Sequence, residues 1–139
     1  MGRATDAILA YGYDLGGPDD TWHVQETNEY GVLNPRAWWN EEQDDPTFLE
    51  AAQARLAEAG VTGVEVRRHC THTYGEYLLV TTATVAHRGY PKTLDLDDLT
   101  RSQLAADWDD QLAAALAALG LTSTQDAPAW LLAVYAELD

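Results

Sequence analysis

The chain is poor in cysteine, in basic residues and in long apolar runs, and each shortage excludes something. Cys70 is the only cysteine, so no disulfide can form within the chain and nothing depends on an oxidising compartment. Lys and Arg together number 8 against 23 Asp and Glu, a formal net charge of −15. That sign argues against a broad electrostatic grip on nucleic acid or on an anionic bilayer. No stretch approaches the roughly 18 apolar residues of a membrane span, and no apolar segment of signal-peptide length follows Arg3. A cytoplasmic protein that binds neither membrane nor nucleic acid directly is expected.

What is present suffices for a core. Of the 139 residues 46% are apolar, with five Trp and seven Tyr, which fits one α+β domain over residues 1–139 rather than a disordered chain. Ala7 to Tyr13 reads as a buried strand closed by Asp14-Leu15-Gly16-Gly17-Pro18, where Gly16 and Gly17 suit a turn with positive φ better than a ligand loop. Trp22 to Gln25 suits a brief strand, and Asn34-Pro35 a helical turn carrying Trp38 and Trp39. Asp45-Pro46 starts a helix whose Leu49, Ala52, Leu56 and Ala59 share a face before Gly60. Alternation from Val64 to Thr71 and β-branched residues from Tyr77 to Ala86 predict an antiparallel hairpin over 61–88 beside the first strand. Leu104, Trp108, Leu112, Leu116 and Leu119 form one long helical stripe with Trp108 in the core. A last helix is expected from Asp126-Pro128, with Leu131, Val134, Tyr135 and Leu138 on one face. The order implies a small antiparallel or mixed sheet with helices packed on one face.

Few residues suggest chemistry. His69, Cys70, His72 and His87 have the donor types for zinc, but without a CxxC pair and with strand alternation separating neighbours, no metal site is expected. Arg67, Arg68 and His72 could lower the pKa of Cys70, yet no third orienting group is evident. Ser102 and Ser123 lie outside any GxSxG elbow. The carboxylates at 41–45, 95–98 and 107–110 lack calcium-loop spacing and suit helix starts, where the dipole favours them. No catalytic residue and no cofactor are assigned. An enzyme or small-molecule binder would need a pocket joining Tyr11, Asp14, Arg68 and His87 across the sheet. Trp22, Tyr30, Trp38 and Trp39 fill the least periodic segment and are candidates for a partner surface. Residues 61–92 carry Arg67, Arg68, Arg88 and Lys92 against Glu65 and Glu76, which predicts a bipolar molecule if that segment stays together.

The opening Tyr11-Gly12-Tyr13-Asp14-Leu15-Gly16-Gly17 and the ending Pro128-Ala129-Trp130-Leu131-Leu132-Ala133 resemble uncharacterised small acidic proteins of actinobacteria and their bacteriophages. An Arg-rich, Lys-poor composition with Ile8 as its single isoleucine agrees with the GC-rich genomes this implies. The resemblance assigns no chemistry. The sequence favours a non-enzymatic protein-interaction module, an accessory protein whose partner is unnamed. Its rivals are an acidic mimic of DNA that inhibits a DNA-binding enzyme, and a pocket-bearing binder or enzyme.

Overall fold

A computed structural model describes residues 3–16, 23–26, 48–69, 76–105 and 107–138. The frame is β1 (Arg3–Gly16), a strand of 14 residues that lies inside a four-stranded sheet. Along the chain follow β2 (Val24–Glu26), α1 (Phe48–Glu58), β3 (Glu65–Arg68), β4 (Tyr77–His87), α2 (Leu96–Ala105), α3 (Trp108–Leu119), β5 (Leu121–Ser123) and β6 (Ala129–Leu138). The sheet order is β3-β4-β1-β6 with every pairing antiparallel, and β2 pairs β5 in a separate ribbon. The α+β architecture read from the sequence is the one observed. No described helix is long and apolar enough to cross a membrane.

Alternation sorts the sheet into two faces. Tyr11, Tyr13, Leu15, Val66, Tyr77 and Leu79 are buried against α1 and α3, which supply Phe48, Ala52, Leu56, Leu112, Ala115 and Leu119. Ile8, Ala10, Leu78 and Val80 form a separate buried cluster, with Ala83, Val85, Leu131 and Ala133 packed on it. The helices thus cover one face. In β4 the parity changes from Val80 to Ala83 because Tyr11 pairs Thr82 while Gly12 pairs Val80, leaving Thr81 as the extra residue of a bulge. Gly12, at φ +156°, fits this crossing because an added Cβ would lie 1.9 Å from the Leu79 carbonyl oxygen. Gly16 has the positive φ expected of it, +71°, while Gly17 lies outside the described residues.

Four expectations need correction. The stripe from Leu104 to Leu119 is two helices, broken where Asp107 adopts φ +53°, a left-handed conformation that Asp tolerates better than most residues. Trp108 therefore opens α3 and is only partly buried. The last segment is the strand β6, paired with β1 from Arg3↔Leu138 to Gly12↔Ala129. Its residues are apolar at both parities, so the helical spacing within them did not discriminate, and the open side of β1 settled the outcome. Finally, the basic segment is split: β3 bears Arg67 and Arg68 opposite Leu78 and Tyr77, whereas His87 ends β4 ten residues from Tyr77. At about 3.3 Å per residue the two basic groups stand roughly 30 Å apart.

Candidate functional site

The four residues Tyr11, Asp14, Arg68 and His87 do not form one pocket. Tyr11 is buried on the helix side, where its hydroxyl donates to Asp109 Oδ1 at 2.6 Å and accepts from Gln103 Nε2 at 2.8 Å. Burial first, and the neighbouring Asp109 second, push its pKa up to about 12, so the phenol stays protonated. The Tyr11, Trp108 and Trp130 rings have centroids 5.1–6.1 Å apart. Rings that close touch one another and leave no room for a cation among them. This is a packed joint between α3 and the sheet.

Asp14 belongs to a second arrangement. Its carboxylate accepts from the Gly16 N–H and meets His23 Nδ1, each at 3.0 Å. Its own N–H donates to Gln125 Oε1 at 3.2 Å, and Gln125 Nε2 donates to the carbonyls of Gly12 and Ala127. The Gln125 amide thereby ties the β5–β6 connection to the end of β1. Arg68 lies opposite Tyr77 at the β3 end of the sheet, and His87 lies at the far end of β4. His69 stands beyond Arg68, so it cannot share a metal ion with His87. Cys70, His72, Glu41, Glu42, Asp44, Asp45, Trp22, Tyr30, Trp38 and Trp39 lie outside the described residues.

The far end of β4 holds a more distinctive site. Asp6, 6% exposed, is the only polar or charged residue among the described buried ones. It meets His87 Nδ1 at 2.8 Å. A buried carboxylate costs several kcal/mol unless partnered, but here the partner's side chain is 67% exposed. The pair fixes the imidazole by Nδ1 and leaves most of the ring exposed. The chain then reverses through Arg88 and Gly89, whose φ is +82°, with the Tyr90 N–H donating to the His87 carbonyl at 2.9 Å. Asp6, Ala7, Ala86, His87, Arg88, Gly89, Tyr90, Pro91 and Val134 line an open hollow of about 310 Å³.

Val134 links that hollow to the outer strand. Trp130 packs into the helix-side core, and alternation sends Leu132 and Val134 to the same side, opposite Leu9 and Ala7. There the helical cover has ended: Leu132 is 73% and Val134 69% exposed. From Ala129 to Ala136 the strand has no charged residue and no proline, the usual devices that blunt an edge. Among the described residues β6 pairs with β1 alone. Tyr90, Leu94 and Leu96 add further exposed apolar surface along the β4–α2 connection.

Comparison with known proteins finds no matching family model, no matching curated protein and no matching solved structure. The site must be read from its own geometry. Sequence reasoning singled out His87 but not Asp6, 81 residues away, nor Leu132, Val134 and Tyr90. The available signals were an acid immediately before the apolar run 7–13 and an eight-residue uncharged run, 129–136.

Proposed function

We propose that this chain is a protein-interaction module that docks its partner along the outer edge of β6, an accessory protein of the kind its two ends resemble. The observation that carries the reading is the exposure of Leu132 and Val134 within the uncharged run 129–136 of β6, an edge strand among the described residues. A partner strand added there would satisfy the unpaired backbone groups and cover both side chains. Full burial of two such side chains is worth roughly 3–6 kcal/mol before the costs of association. That is enough to dominate a small interface.

Acidity alone supports the rival reading less well. The described clusters at 95–98 and 107–110 open α2 and α3 on one side of the sheet, which favours a mimic of DNA. Yet α1, α2, α3 and the residues just before α2 and α3 carry eight carboxylates (Glu50, Glu58, Asp95, Asp97, Asp98, Asp107, Asp109 and Asp110) against Arg55 and Arg101. Duplex DNA carries about one charge per 100 Å², so a patch of about 1,000 Å² would require roughly ten net charges. The described helical residues fall short of that density.

The test is a comparison of baits. Wild-type chain and the double variant Leu132→Lys, Val134→Lys, matched for circular dichroism and melting temperature, are used to capture binding proteins from the source cell. A partner held in stoichiometric yield by the wild type, lost by the variant, and protecting β6 amides from exchange is the expected result. Equal retention by both baits, or protection confined to other elements, overturns the reading.

A further inference from the structure

We infer that the hollow at the His87–Tyr90 turn is a binding site for a small monocarboxylate with a short apolar body, sharing Val134 with the β6 edge. Three independent features converge on that class. The imidazole is held through Nδ1 by Asp6 at 2.8 Å from a position 6% exposed, an arrangement that fixes the ring while most of it stays exposed. Next to it, Arg88 is exposed and makes no ion pair among the described residues. A guanidinium fork matches the two oxygens of a carboxylate. The remaining wall is apolar, from Ala7, Ala86, Pro91, Val134 and the 75% exposed Tyr90 ring, and at about 310 Å³ it takes a body of several carbons.

Charge decides the rest. Asp6 also lines the hollow, but it is 6% exposed and its carboxylate is met by His87, and Arg88 and Lys92 outnumber it. Lys92 follows on the same connection. The local field is therefore positive within a Debye length of about 8–10 Å, although the molecule carries −15. That outer field opposes a dianion twice as strongly as a monoanion, which favours carboxylate over phosphate. Because Nδ1 faces Asp6, the imidazole can meet a carboxylate only through Nε2.

The experiment is a titration of the full chain followed by backbone amide shifts, with hexanoate as the probe and acetate, hexylamine and inorganic phosphate as comparisons. Saturable shifts confined to residues 6–7, 86–91 and 134 are expected with hexanoate, several-fold weaker with acetate, and absent with hexylamine. Arg88→Ala, a surface change that leaves the fold intact, should raise the hexanoate Kd roughly tenfold. His87→Ala should weaken hexanoate binding several-fold. Unsaturable or scattered shifts, or unchanged affinity in Arg88→Ala, would sink the proposal. Phosphate binding more tightly than hexanoate overturns the carboxylate class.

Discussion

At the scale of single residues, Gly12 is the position with least freedom. Its φ is +156° and a methyl group would meet the Leu79 carbonyl oxygen at 1.9 Å, with Val80 Cα at 2.9 Å. All these atoms are backbone in the centre of the sheet, so relief requires parting β1 from β4. Gly12→Ala is expected to cost more than about 3 kcal/mol, read from the urea midpoint. Gly60→Ala, strained only by its φ of +76° with nothing within 4 Å, should cost about 1 kcal/mol. Tyr11 gives a pH signature. Its folded pKa of about 12 exceeds the unfolded value of 10.0, so its contribution is complete below pH 10 and disappears as pH rises towards 12. Two units correspond to at most about 2.7 kcal/mol. Tyr11→Phe should therefore lose less stability than the wild type between pH 9 and pH 11.5, measured by urea unfolding. Parallel losses in the two proteins would show that other groups govern the alkaline limb.

At the scale of elements, Trp108 shows how a broken helix changes an energetic expectation. In an unbroken stripe it would be a core residue, and truncation would cost about 3–5 kcal/mol. It instead opens α3, partly exposed, against Tyr11 and Trp130. Trp108→Ala is expected to lower stability by about 2–3 kcal/mol, and a midpoint that barely moves would contradict this packing role. The break itself was hidden because Asp107 is as good a helix-start residue as a helix-surface one. Other elements were legible where several local signals agreed: α1 has its apolar face with Gly60 beyond it, β3 alternates, and β4 is rich in β-branched residues. β6 was misread because Trp130 to Val134 is apolar at every position, satisfying both periods at once. The candidate site was half legible. His87 stands out as a histidine ending a β-branched run, whereas its pairing with Asp6 depends on register between strands 81 residues apart, which no local pattern encodes.

At the scale of the molecule, charge had no fold-level meaning until the sheet was known. Arg67 and Arg88 are near in sequence but sit at opposite ends of β4, so the expected basic pole is divided into two corners. The same long-range order bears on how the chain acquires its fold. β1, made first, lies between β4 and β6, and Arg3 pairs with Leu138. During synthesis from the N-terminus, β1 can zip onto β4 soon after residue 87 emerges, yet its other flank stays bare until residues 129–138 clear the ribosome. Over that interval Ala7 to Tyr11 offers an unpaired apolar ladder to any neighbouring chain. Closure of the sheet thus waits for β6 and is governed by contacts of the largest sequence separation among the described residues. A stalled chain ending near residue 128 would be the species that chaperones meet.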